Sequence, residues 1–421
     1  MRRLLPFVIL TLLACSEGDT VSGGPAGLDG PDAPISLSSE HLFTVGAVDG
    51  DRWDVFGRVA SVAFDQAGNL YILDGDAVRI AVVDPSGNLI RTVGKRGGGP
   101  GEFQMPFAFV PLSRGALAVF DLGKQGFQLF DPEGAFMESV SVDLSAGAPG
   151  TEMAVLPDGR LVSANGIQVS FGGPGADGDE QDEAGRPVHR FSLEGGGQDV
   201  LYRGWEPPLP ESGFSESLEG DGGSRIDFTM RSVAYEPQLF FGVLSSGHVA
   251  VVDSTGYRVK LVDSSGAVSE VLERPVEPQA VDDRIRAAET ERRLAAVDNQ
   301  GTGRVMVIGG NGAGGMSIDQ ERMREMMRSQ VESMTFSDVV PVISSLAVDG
   351  YDRIWVQRYG PLGEAEGPID LLGAGGVYHG TLEAGSVVVP EAFGPDGLMA
   401  FVEEDELGVQ TVRVARMAPV S

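Results

Sequence analysis

Short apolar runs separated by Gly- and Asp-rich turns fill most of this chain, and three stretches repeat one spacing. Gly68 is followed six positions later by Asp74, then by Arg79-Ile80, Val83, Asp84 and Gly87. Gly115 leads at the same offsets to Asp121, Phe127, Phe130, Asp131 and Gly134. Gly247 leads in the same way to Asp253, Arg258-Val259, Val262, Asp263 and Gly266. Runs of four to six β-forming residues between turn residues predict a small antiparallel sheet, repeated along the chain. One such sheet cannot cover its own apolar faces, so the units must stack on one another.

The first unit reads Val59–Phe64, Leu70–Leu73, Arg79–Val83 and Leu89–Val93. A second spans about Phe107 to Val142. A third opens at Met153–Leu156, is interrupted by the acidic, glycine-rich stretch 172–185 and resumes at Val188–Leu193. The polar stretch Pro207–Ser224 reads as a mobile loop. A fourth unit runs from Ser232 to Leu272, and a fifth from Val342 through Tyr378. The sixth has Val387–Val389, Leu398–Val402 and Val409–Ala415, and lacks a fourth strand. Leu42–Val48 precedes the first unit without partners of its own. Pairing it with the last unit closes a ring and removes two sheet edges.

Residues 279–336 break the β pattern. Val281–Val297 is rich in Ala, Glu and Arg, which favour helix. In Ser317–Met334 the residues Met323, Met326, Met327, Val331 and Met334 recur at helical spacing, and Ser317 with Gln320 fits a capping box. The expected fold class is therefore all-β: a six-bladed β-propeller closed by its N-terminal strand, with a two-helix insert between blades four and five.

Charge and the N-terminus narrow the setting. The net charge is −30 over 421 residues, with no basic stripe to meet phosphates. That excludes nucleic acid as a partner and disfavours broad contact with anionic membrane surfaces. Arg2 and Arg3 precede a ten-residue apolar run, Leu4–Leu13, too short to span a bilayer. The chain has one cysteine, Cys15, so no intrachain disulfide forms. Residues 16–40 are dominated by Ser, Gly, Pro and Asp.

Leu12-Leu13-Ala14-Cys15-Ser16 resembles the lipobox of bacterial lipoproteins. The resemblance implies cleavage of residues 1–14, a lipid on Cys15 and export. Ser16 after the cysteine implies the outer membrane of a double-membrane bacterium. Residues 15–40 would then be a flexible tether, and 41–419 the propeller. The repeat itself resembles the NHL-type propeller unit, which reads glycine, apolar run, Asp, Arg-Ile, Phe-Asp, glycine. Gly97-Gly98-Gly99-Pro100-Gly101-Glu102-Phe103 resembles that family's blade-to-blade linker. Asp349 with Arg353-Ile354-Trp355-Val356, and Glu404 through Val414, resemble a group of bacterial six-bladed propeller lipoproteins.

The chemistry candidates are sparse. Loops entering the first strand of a blade rim the central pocket of a propeller. Here they offer Asp51, Trp53 and Asp54, then Arg96, Glu102 and Phe103, so Asp51, Trp53, Arg96 and Phe103 are the ligand-binding candidates. Asp74, Asp121 and Asp253 end the same strand in matching units. Their structural reading is acceptance of backbone N–H bonds from the following turn; the alternative is convergence on calcium. His41, His189, His248 and His379 show no short metal-ligand spacing. Gly97–Gly101 lacks the Lys-Ser/Thr end of a phosphate loop, whereas Gly309–Gly315 precedes a helix that offers its N-terminus to an anion. No nucleophile motif and no metal site is legible. The expected function is a monomeric, lipid-anchored binding or scaffold module for a small molecule or protein. No cofactor is required, although calcium remains open. The competing class is a propeller-type hydrolase or lactonase with a divalent metal in the channel.

Overall fold

The computed structural model describes residues 27–47, 53–166, 185–208, 214–219, 225–230, 233–299, 306–307, 316–317, 320–405 and 408–418. Five four-stranded antiparallel units follow one another. Their innermost strands are Val59–Phe64, Pro106–Pro111, Met153–Val155, Phe240–Val243 and Ile343–Val348. The local cause is one recurrent hairpin between the first and second strands. In blade one, Asp65 Oδ1 accepts the backbone N–H groups of Ala67 and Asn69, each at 2.9 Å. This Asp turn then needs a left-handed residue, and Gly68 supplies it at φ +81°. Gly115 and Gly247 stand at +81° and +85° in the same place, so the repeated glycine is a backbone requirement.

The sixth blade is assembled from both ends of the chain. Its strands are Ala392–Phe393, Leu398–Glu404, Gln410–Met417 and, outermost, Ser39–Val45. Ser39 pairs with Met417 and Val45 with Val412 in antiparallel register. Closure is therefore made by the N-terminal strand, as expected. The inner strand lies later than expected, at Ala392–Phe393. Val387 and Val389, expected to be that strand, instead pack partly buried against the cluster between blades five and six.

Packing shows why the ring must close. Each neighbouring pair of blades shares one apolar cluster, and six clusters account for six blades. Alternate residues of one strand feed different clusters. Leu70 and Ile72 face blade six, while Tyr71 and Leu73 face blade two. Every blade is thus apolar on both faces, and an open ring would leave one face uncovered.

Among the described residues there are two α-helices, α1 (Asp283–Asn299) and α2 (Gln320–Glu332), both inserted between blades four and five. None is long and apolar enough to cross a membrane. Asp282 caps α1 by accepting the Ile285 N–H at 2.9 Å. The second helix starts later than expected, at Gln320 rather than Ser317, and Met316-Ser317 pairs as a strand with Met306-Val307. The helices dock on the propeller through Ile285, Val297, Val331 and Met334, which pack on Tyr235 and Val340. Arg292 fastens α1 to the blade-five loop, donating to the carbonyls of Leu362 and Gly363.

Two loop expectations change. Within the supposedly mobile Pro207–Ser224, residues Phe214–Glu219 form a hairpin with Arg225–Met230. The supposed tether is also shorter than 15–40. Pro34-Ile35 adds as a fifth, parallel strand on the outer edge of blade five, opposite Thr381 and Leu382. The stretch 172–184 lies outside the described residues.

Candidate functional site

Among the described residues, the channel-facing edge of each inner strand has no ladder partner. Together the inner strands enclose a central channel of about 1250 Å³. Its wall is mostly apolar: Val59, Phe64, Pro111, Met153, Phe241 and Leu346 are typical. Among the described residues no Lys, Arg or His lines it. The carboxylates on the wall are Asp65, Glu152 and Glu391. Asp65 is spent on its own turn, where it also accepts from Asn69 Nδ2 at 2.8 Å.

Glu152 sits one residue ahead of the inner strand of blade three. Ser163 fixes it there: its Oγ donates to the Glu152 carbonyl at 2.6 Å and accepts the Gly150 N–H at 2.9 Å. The Glu152 carboxylate makes no hydrogen bond or ion pair to any described residue. Glu391 sits one residue ahead of the inner strand of blade six. Its carboxylate accepts the Val402 N–H at 3.1 Å. Blades three and six stand opposite one another in a six-membered ring, so the two acids approach the channel from opposite sides.

Glu152 and Glu391 are both solvent-exposed residues on the channel wall. Burial pushes the Glu152 carboxyl up from its ordinary value. Burial also raises that of Glu391, against the opposing hydrogen bond from Val402. A raised carboxyl in an apolar channel marks a candidate functional group. The sequence signal was an acid directly abutting an apolar inner-strand run. Nothing in the one-dimensional pattern showed that it faced the channel.

Three of the residues proposed from sequence, Phe103, Arg96 and Trp53, are not among the channel-lining residues. Phe103 is fully buried between blades one and two, edge-on to Phe130 with ring centroids 5.6 Å apart. Arg96 is exposed and donates to the Asp76 carbonyl at 3.2 Å. Trp53 is half-buried against the cluster between blades six and one, and its carbonyl accepts from Arg79 at 2.9 Å. Asp51 and Cys15 lie outside the described residues, as does the Gly309–Gly315 loop.

The repeated aspartates are structural fasteners. Asp74 accepts the Ala77 N–H from the following turn at 3.0 Å. Asp121 accepts Gln104 and Met105 N–H at 2.8 and 2.9 Å, both from the preceding blade linker. Asp253 accepts the Trp205 N–H at 2.8 Å and pairs with Lys260 at 2.8 Å. Asp74 holds the following turn, while Asp121 and Asp253 lock their blades to the incoming linker. Among the described residues no group of three or more His, Cys, Asp or Glu side chains is placed to hold a metal. The residues present on the channel wall therefore do not fit a divalent centre.

Blade five carries the densest buried charge. The Arg274 side chain is 1% exposed and contacts Asp370 at 2.8 Å and Asp32 at 3.0 Å. Arg358 contacts the same two acids at 3.4 and 2.6 Å. Arg274 stacks over the Tyr378 ring at 4.4 Å. Burial opposes ionisation of Asp32, but Arg358 and Arg274 together hold its carboxyl below the ordinary value.

No protein-family model matches the chain, and no curated relative does. Solved structures share its shape. One is a member of a family of unknown function from Bacteroides vulgatus, with TM-score 0.50 and 8% identity over 92% of this chain and 99% of that one. A candidate exported protein of Bacteroides fragilis has TM-score 0.46 and 11% identity over 92% and 96% of the two chains. A candidate gluconolactonase has TM-score 0.41 and 14% identity over 92% and 95%. At these identities the likeness concerns the fold alone.

Proposed function

We propose that the protein is an exported, lipid-anchored binding module that holds a small, largely apolar molecule in its central channel. The observation that supports this is a mostly apolar channel wall carrying one carboxylate, Glu152, without a partner among the described residues. Apolar enclosure with few polar groups is the composition of ligand pockets. Export and the lipid on Cys15 rest on the lipobox-like N-terminus and on the resemblance to NHL-type and bacterial lipoprotein propellers. The lactonase-type reading requires converging ligands for a divalent ion, and the described residues supply none.

Ala60 is exposed to the channel, and a larger side chain there fills space without entering a blade cluster. A neutral solvatochromic dye should bind the full mature chain saturably. Ala60→Trp should abolish that binding at unchanged thermal stability. Dye binding that survives Ala60→Trp would place the ligand elsewhere. Cys15→Ala should move the protein out of the membrane fraction; a variant still membrane-bound after a salt wash rejects the anchor.

A further inference from the structure

We infer that the channel selects protonated amphipathic amines, molecules with a hydrocarbon body and an ammonium head, over neutral and anionic amphiphiles. This rests on the channel being the ligand site. The wall has carboxylates and, among the described residues, no cation. An anionic head entering it would meet only like charge beside an apolar wall, which is unfavourable. An ammonium head meets complementary groups instead. Its three donors can reach a carboxylate and the carbonyls on the unladdered inner-strand edges.

The choice between the acids follows from their partners. Asp65 is committed to Ala67 and Asn69. Glu391 shares one oxygen with the Val402 N–H. Glu152 has both carboxylate oxygens free of described partners, and Ser163 fixes the backbone that carries it. Glu152 is therefore the primary counter-ion, with Glu391 on the opposite side as the weaker one. Aliphatic and aromatic residues such as Val155, Phe241 and Val348 line the rest of the wall and cover the hydrocarbon body. The chain's net charge of −30 adds a general, unlocalised attraction for cations.

The test uses three probes of one chain length on the mature protein: octylammonium, octanol and octanoate, each competing with the neutral dye. Octylammonium should bind roughly tenfold or more tightly than octanoate, a difference of about 1.4 kcal/mol. Glu152→Gln should bring octylammonium to the level of octanol and leave octanol unchanged. Glu391→Gln should act in the same direction, less strongly. Octanol displacing the dye while octanoate binds as well as octylammonium overturns the charge selectivity and leaves the channel reading standing. A tenfold amine preference that persists in the Glu152→Gln, Glu391→Gln double variant also overturns it. If no probe displaces the dye and Ala60→Trp changes nothing, the channel reading itself fails and takes this inference with it.

Discussion

Asp370→Asn tests the buried charge cluster of blade five. The Asp370 carboxylate is fully buried and touches Arg274 at 2.8 Å, Arg358 at 3.4 Å and the Thr381 hydroxyl at 2.5 Å. Asparagine keeps the shape and can still accept from Thr381. It leaves two guanidinium groups, 1% and 10% exposed, opposite Asp32 alone. Removing one partner of a buried pair costs about 3–5 kcal/mol, and the remaining contact with Asp32 points to the lower figure, about 3 kcal/mol. Unfolding entropy of roughly 2 cal/mol/K per residue over 421 residues gives about 0.9 kcal/mol/K. The melting temperature should therefore fall by about 3–4 °C. Asp32→Asn provides the contrast, because its side chain is 44% exposed. Solvent screening limits its loss to about 1 kcal/mol, or about 1 °C. Calorimetry reads both. Hydrogen exchange at Thr381, whose N–H donates to the Ala33 carbonyl at 2.8 Å, reports whether the N-terminal strand has lifted. An Asp370→Asn shift under 1 °C, or an Asp32→Asn loss as large, refutes the reasoning.

Three further outcomes are expected. A chain starting at residue 27 should melt with the full chain, while one starting at residue 46 should expose the Gln410–Met417 edge and aggregate; equal light scattering from the two would count against ring closure. Glu152→Gln should stabilise the protein at pH 7, because a carboxyl raised by folding favours the native state fully only below its unfolded value near pH 4.5 and loses that contribution as pH rises. The gain should fade below about pH 4 in urea titrations, and a pH-independent gain contradicts the burial argument. Met334→Ser, at a site 8% exposed in the helical cluster, should cost about 2–4 kcal/mol locally, seen as faster hydrogen exchange in α1 and α2 with unchanged blades.

The buried charge cluster of blade five bears on acid stability. Folding lowers the Asp32 carboxyl, so its contribution is present above the unfolded value near pH 4 and is lost as pH falls further. The strand at Pro34-Ile35 should therefore loosen on acidification before the ring opens.

The blade pattern was legible in the sequence because its determinants are local. The Asp65 turn and Gly68 at φ +81° act within one hairpin, and strand alternation needs no distant partner. Ring closure was also readable, since Leu42–Val48 and an incomplete last unit each lacked what the other offered. The helical insert was readable from its composition and methionine spacing. Tertiary structure alone decided what faces the axis. Glu152 and Glu391 abut apolar runs like any turn residue, and only the stacking of six inner strands makes them wall residues. Phe103 in a linker looked like a rim residue, yet its ring fills the gap between blades one and two. The span 27–35 has tether composition, yet Asp32 meets Arg274 and Arg358, more than two hundred residues downstream. Periodicity encodes which face of a strand is apolar. It does not encode which distant surface covers that face, nor where the closed ring leaves a space.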